Sequence, residues 1–567
     1  MNERTHVDWV LKGGRILDVF SGRFREADLA VADERIVGFG APPGTETRDV
    51  TGKWIVPGLI DAHVHIESSQ LTPGAFARAV VPRGTTAVIA DPHEIANVLG
   101  LTGIRYILDA SEDLPLGVFI MAPSCVPSCP FESPGAVLGP EEIAELLTWD
   151  RVGGLGEVMN YPGVIHGDSE AWAKLDATRG RPIDGHAPGL GGPDLWTYVA
   201  AGPRTDHEST TLEEAREKLA AGLKILIREG TTARNLDALL PLLDERTAPF
   251  VHFCTDDRHP ESLLDEGHLD DLLRRAIAAG VAPELAIASA TIHPATTYGL
   301  ADRGALAPGR RADFVVLDDL DTFTVREVYA AGRQVAVDGA PRFETSSPTD
   351  EAVRGTVRLD ASSVLFGLPA DGGRVRVRVV EVEGTQVVTG SGEALAPVVD
   401  GGAAADPAAD LLKAAVVERH SGSQRVGVAF ARGFGLARGA LASTVAHDAH
   451  NIVVVGATDE EMRLAVVELT RLGGGQVVVD GDAVVARLPL PIAGLMTDGE
   501  LSETAEAARS LSEAAARLGC RLPAPFATLS FLALPVIPHL KLTDRGLVDV
   551  DRFEFVSALL DGASDAG

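Results

Sequence analysis

His63 and His65 stand two residues apart in the run LIDAHVH, and strand alternation turns side chains at that spacing toward one face. Two adjacent imidazoles suit a divalent metal, although an isolated His-x-His pair is more often solvated or satisfied within a core. The ends of the later apolar runs change that balance. Asp91, His93 and Glu94 follow one run, Ser124 and Cys125 another, and five more close on Glu157, His186, His207, Arg228 with Glu229, and Asp256. Nitrogen and carboxylate ligands converging from separate strands are what a borderline metal centre requires. The expected ligands are therefore His63, His65, Glu157, His186, His207 and Asp256. Glu157, in GLGE with no lysine nearby, is suited to bridge two ions held ~3.5–4 Å apart. Asp256 has a rival in Asp257, because strand alternation points only one of them inward.

Other patterns carry less. In IADPHEIANVLG, Pro92 predicts a rigid turn that presents His93 and Glu94, or equally a capped helix start. His65-Ile66-Glu67 fits half of a zinc deaminase signature, but Cys125 and Cys129 are spaced CxxxC where PCxxC is needed, so that reading fails. No GxSxG nucleophile elbow occurs. Glu67, Ser124, Cys125 and Glu229, at or beside the same run ends, are the candidates for holding a substrate.

The elements that must position these residues follow from the patterning. Eight short apolar runs, at 59–65, 85–91, 118–123, 152–157, 182–186, 204–207, 224–227 and 249–256, are each followed by turn residues and a helix-like stretch. Parallel strands buried on both faces read this way. Eight β/α units in about 240 residues predict a (β/α)8 barrel of the TIM type, an α/β fold whose active site lies where the strands end. Residues 1–57 and 301–340 alternate apolar and polar positions around glycines, as the short strands of one small β-sandwich built from both flanks. Residues 58–300 form the barrel, and 341–567 an additional C-terminal α+β domain. Within the latter, DGGAAADPAAD (400–410) reads as a mobile loop.

Composition narrows the partners. The 567 residues carry 50 Lys+Arg against 81 Asp+Glu, a net charge of −31, which opposes nucleic acid and anionic membrane surfaces. Four cysteines cannot form a disulfide framework, so a reducing, cytoplasmic setting is expected. The start MNERTHVDWV lacks the apolar core of a signal peptide, and no apolar run reaches the ~18 residues needed to span a bilayer.

Taken together, VPGLIDAHVHIESS, DPHEIANVLG, GLGEVMN, DGHAP and VAHDAHNIVVVG resemble the bacterial adenine deaminases of the amidohydrolase superfamily, along essentially the whole chain. The resemblance implies hydrolysis of adenine to hypoxanthine and ammonia at a binuclear centre of Mn²⁺ or Fe²⁺; the donor set accepts Zn²⁺ as well. By position it matches His63 and His65 to the first-strand ligands, Glu157 to the bridging ligand, and His186, His207 and Asp256 to the remainder. His93 and Glu94 match a family motif close to the centre, and HDAHN (447–451) matches the family without an assigned role. Relatives acting on dihydroorotate or hydantoins carry a carboxylated lysine in the fourth strand, and a glutamate there argues against them. Asp256 is expected to pass the water's proton to the leaving amine. Glu94 or Glu229, its pKa raised by partial burial, is expected to serve the ring nitrogen N1. A metal-dependent hydrolase of another amino-heterocycle or a cyclic amide is the alternative, and a homo-oligomer, in the first place a homodimer, is expected.

Overall fold

The computed structural model describes residues 6–345, 350–383 and 388–560. Two compact units divide the chain: Met1–Pro92, Ile107–Ser124 and Gly139–Pro348 form one, and His93–Tyr106, Cys125–Leu138 and Thr349–Gly567 the other. Two segments within 58–300 thus group with the C-terminal residues. Their apolar side chains explain it: Cys129 and Phe131 bury against Val548, and the Phe131 ring meets Phe553 and Phe555 edge-on.

In the first unit, both flanks of the chain share one nine-stranded sheet. The join is antiparallel pairing of Trp54–Pro57 with Phe314–Asp319, Val56 lying opposite Val315. Alternate residues (Trp9, Leu11, Leu29, Val31, Phe314, Val316) turn into one apolar layer, as the period-2 pattern requires.

The same unit contains eight parallel strands, one at each apolar run. Leu59–Val64, Thr85–Ala90, Gly117–Ala122, Val152–Val158 and Ile183–Gly185 pair in that order as one sheet; Thr205–Asp206, Lys224–Arg228 and Val251–Cys254 form a second. Every residue of the first two strands is buried, the polar Asp61, His63, Thr85 and Thr86 included, which is why their runs show no alternation with a solvent-facing side. The two sheets meet at both margins. On one side Val64 bridges Asp256, with Asp256 N–H donating to the His63 carbonyl at 3.0 Å. On the other, Arg204 N–H donates to the Ile183 carbonyl at 3.0 Å. The first margin brings the ends of the first and eighth strands together, and with them His63, His65 and Asp256.

The second unit centres on another nine-stranded sheet, mostly antiparallel, with helices on both faces. Ala415, Ile452 and Val454 pack against Met462, Ala465 and Leu469 of helix Asp459–Leu472. Val453, Val455 and Val478 face the opposite way, toward Leu511 and Ala515 of helix Leu501–Arg517. The segment 400–410 is not a mobile loop. Gly402–Ala403 pairs with the strand Thr389–Val399, and the Asp410 carboxylate accepts the Gly433 and Gly435 amides at 2.9 and 2.8 Å. Those bonds tie it down despite a composition typical of linkers.

Candidate metal centre

The ends of the parallel strands converge on one cluster. His63 and His65 turn to the same side, their Nε2 atoms 3.2 Å apart. His65 Nδ1 lies 2.8 Å from the Asp91 carbonyl, a contact that orients the ring so that Nε2 faces the cluster. Asp61 Oδ1 accepts the amides of His63 and Thr255, each at 3.2 Å, and so ties the first strand to the eighth just below the cluster.

Glu157 stands in the middle. Its Oε1 is 3.1 Å from His65 Nε2 and 3.6 Å from His63 Nε2; its Oε2 is 2.7 Å from His186 Nδ1 and 3.3 Å from His207 Nε2. One carboxylate oxygen thus serves each histidine pair. Asp256 Oδ1 lies 3.1 Å from His65 Nε2 and 3.5 Å from His63 Nε2, and its Oδ2 accepts from Arg228 Nη1 at 2.8 Å. Asp257 instead takes the Ser68 hydroxyl, while staying within the reach of His65 and Asp256. Burial alone would raise both acids. Hydrogen bonds from His186, His207 and His65 hold Glu157 well below the carboxylate range, and the Arg228 guanidinium with His63 and His65 does the same for Asp256. Both are therefore anions at neutral pH.

These donors fit a divalent cation. Imidazole nitrogens crowd one another and two carboxylates in a buried space, in overlapping groups of three whose donor atoms lie within 4.8 Å of one another. A multivalent cation is the species that nitrogen lone pairs and carboxylate oxygens can all face at once.

The backbone around Glu157 supports the arrangement. Its amide donates to Asp91 Oδ2 at 2.9 Å, and Ser124 Oγ donates to its carbonyl at 2.6 Å. Gly156 permits this close approach, since a Cβ there would stand 2.1 Å from Asp91 Oδ2. Gly156→Ala is expected to displace Asp91 and weaken metal retention by ~10–100-fold, as loss of a ligand's supporting contact typically does. Metal content after graded chelation checks it.

The remaining candidates fall elsewhere. Ser124 supports the cluster through backbone, and Glu67 is buried in the turn Ile66–Ser69 just beyond His65. Glu229, although at the end of the seventh strand, gives its carboxylate to Arg275 and to the Leu236 amide. His93, Glu94 and Cys125 belong to the second unit. There Glu94 Oε1 is 3.1 Å from His447 Nδ1, its Oε2 is 3.9 Å from His450 Nε2, and His93 Nε2 is 3.9 Å from Asp448 Oδ1. The raised pKa expected of Glu94 is overturned: burial pushes it up, but His447, His450 and His93 outweigh burial and hold it well below its usual value. HDAHN thus supplies two of the histidines around Glu94. His450 Nδ1 accepts the Ala446 amide at 3.1 Å, so its proton sits on Nε2 and points toward Glu94 as a donor. Glu208 escaped the sequence reading. It follows His207, and its Oε1 lies 3.4 Å from His207 Nε2 and 3.6 Å from His186 Nδ1.

An α/β arrangement of parallel strands whose ends bear four histidines and two carboxylates defines a metal-dependent hydrolase of the amidohydrolase class, and residues 54–335 match the amidohydrolase family. Residues 386–554 match the adenine deaminase C-terminal domain. The chain is 50% identical over 559 residues to an adenine deaminase of Nitratidesulfovibrio vulgaris, covering 98% of this chain and 97% of that one. It is 48% identical over 559 residues to an adenine deaminase of Methanothrix thermoacetophila, with the same coverage. Among solved structures, a β-aspartyl dipeptidase from Fervidobacterium islandicum aligns with a TM-score of 0.46 at 16% identity, over 60% of this chain and 99% of that one. The chain belongs to the adenine deaminase family.

Proposed function

We propose that this protein catalyses the hydrolytic deamination of adenine to hypoxanthine and ammonia. The observation that carries the reading is Glu157, with one oxygen toward His63 and His65 and the other toward His186 and His207, in a chain about half identical to adenine deaminases over nearly its full length. The two parallel sheets are read as one (β/α)8 barrel spanning 58–300, with 1–57 and 301–340 as its β-sandwich and 341–567 as the added α+β domain. Mn²⁺ or Fe²⁺ is the assigned metal, with Zn²⁺ also compatible with nitrogen and oxygen donors. We assign the reaction to purine salvage in the cytoplasm and the active form to a homodimer, the commonest symmetric assembly. Among the described residues, no helix is long and apolar enough to cross a membrane.

His63, His65 and Asp256 would hold one ion, His186 and His207 the other, with Glu157 between them. Two such ions supply the Lewis acidity that makes water nucleophilic near neutral pH, lowering its pKa from 15.7 to roughly 7. Adenine C6 lies in an aromatic ring and is a weak electrophile, so the protein must also manage protons. Asp256 accepts the proton of the attacking water and returns it to the amino group, which then departs as ammonia. His93 and Glu94 stay candidates for proton handling, and Glu67, Ser124 and Cys125 for substrate contact.

Ammonia release from adenine, adenosine, guanine and cytosine, with ring opening of dihydrouracil followed by its loss of ultraviolet absorbance, tests the assignment. Adenine is expected to be turned over far faster than the rest. Faster ring opening of dihydrouracil would overturn it in favour of a cyclic amide hydrolase.

A further inference from the structure

Arg228 and Glu208 sit against the donor cluster, and the ligand assignment uses neither. Arg228 ends the strand Lys224–Arg228, and Glu208 follows Thr205–Asp206 and His207. Their side chains meet fork to fork. Arg228 Nη2 donates to Glu208 Oε2 at 3.2 Å and Nη1 to Glu208 Oε1, while Nη1 also reaches Asp256 Oδ2 at 2.8 Å. Five of the ligand side chains are 1–4% exposed. Arg228 is 11%, Glu208 13% and His186 23% exposed, so these three face the open side of the cluster. Arg228 Nε is buried with no hydrogen-bond partner among the described residues, which leaves donor capacity on this guanidinium.

The pair has a definite chemical complement. Arginine offers donors only and a carboxylate acceptors only. The reacting edge of a cyclic amidine, N=C–NH₂, presents an acceptor nitrogen beside a donor amino group. When water attacks the carbon between them, the ring nitrogen gains the electron pair, and a cation beside it stabilises that charge. Arg228 keeps its proton at any relevant pH, so what it offers is charge rather than acid.

We propose that Arg228 and Glu208 hold the amidine edge of the substrate, Arg228 facing the ring nitrogen and Glu208 accepting from the amino group. The proposal rests on the adenine reading above. The balance is simple: a C–O bond forms at C6 as an electron pair passes to N1, the pair returns as the C–N bond breaks, and of the water's two protons one joins the amino group to leave as ammonia while the other stays on the hypoxanthine formed. The permanently charged partner at N1 is then Arg228, where a neutral carboxylic acid was expected from Glu94 or Glu229.

Steady-state kinetics of Arg228→Met, Arg228→Lys and Glu208→Gln, with metal content measured on each sample, test the pair. 1-Deazaadenine, which replaces the ring nitrogen with C–H, serves as a competitive probe. Arg228→Met is expected to lower kcat by ~10²–10³-fold, the usual cost of one preorganised donor, with partial recovery in Arg228→Lys. Glu208→Gln is expected to raise KM more than it lowers kcat. Both are expected to keep the metal content of the unsubstituted enzyme, and Arg228→Met is expected to lose the preference for adenine over 1-deazaadenine. An unchanged preference in an active, metal-loaded Arg228→Met variant would overturn the proposal. Should that variant lose metal, Glu208→Gln decides, since it leaves the Arg228–Asp256 contact: an unchanged KM would overturn the proposal. Inactivity of the unsubstituted, fully loaded enzyme toward adenine is a different failure, that of the adenine reading.

Discussion

Asp256→Asn is expected to lower kcat for ammonia release by ~10²–10⁴-fold, the range a positioned proton acceptor supplies, while the protein folds and melts as before. The amide is nearly the same size as the carboxylate and keeps an oxygen that can accept from Arg228. It loses the negative charge and the capacity to take a proton from water. Asp256 Oδ1 lies 3.1 Å from His65 Nε2 and 3.5 Å from His63 Nε2, among the metal donors, so metal content must be read beside kcat. Full metal loading with the kcat loss supports proton transfer as the role of Asp256. Near-normal turnover would remove Asp256 from the chemistry and return the role to its neighbour Asp257.

Glu157→Gln is the second substitution with a large effect. The two oxygens of Glu157 face different histidine pairs, one at 3.1 Å from His65 and the other at 2.7 Å from His186. An amide presents one oxygen and one NH₂, and the NH₂ cannot bind a cation. The variant is expected to retain about one metal where the unsubstituted chain retains two, as expected of a bridged two-metal site. Turnover is expected to fall to background, because the nucleophile depends on both ions. Measured metal stoichiometry after gel filtration checks it, and two tightly held ions in the variant would contradict a bridging role.

Much of this site was legible in the sequence, and the reason is geometric. A parallel strand buried on both faces is a near-continuous apolar run, so the polar residues in and just beyond its last residues mark the active end. His63, His65, Glu157, His186, His207 and Asp256 were all found by reading run ends, and they come together in one cluster. Glu208 was missed for the complementary reason. It follows His207, and strict alternation would turn adjacent residues to opposite sides; the strand there is only Thr205–Asp206, so the chain has already left the pleat and both side chains reach the cluster. Glu229 was overvalued because its place at a strand end says nothing of Arg275, which lies far along the chain and takes its carboxylate.

The flanking sheet was readable from alternation, since its inward residues form one apolar layer. The grouping of 93–106 and 125–138 with the C-terminal unit was not. A short segment carries its apolar side chains in its sequence but not the identity of the surface that covers them, and Phe131 meets Phe553 and Phe555 more than 400 residues later. The low pKa of Glu94 was hidden likewise, because His447 and His450 lie some 350 residues away in the chain.

The most direct test of the whole account follows loss of the adenine absorbance on protein stripped of metal and then reloaded with Mn²⁺ or Fe²⁺, with metal counted on the same sample. The stripped protein is expected to show no turnover, and rapid conversion to hypoxanthine is expected to return as loading reaches about two ions per chain. Turnover by the stripped protein, or none at full loading, would contradict it.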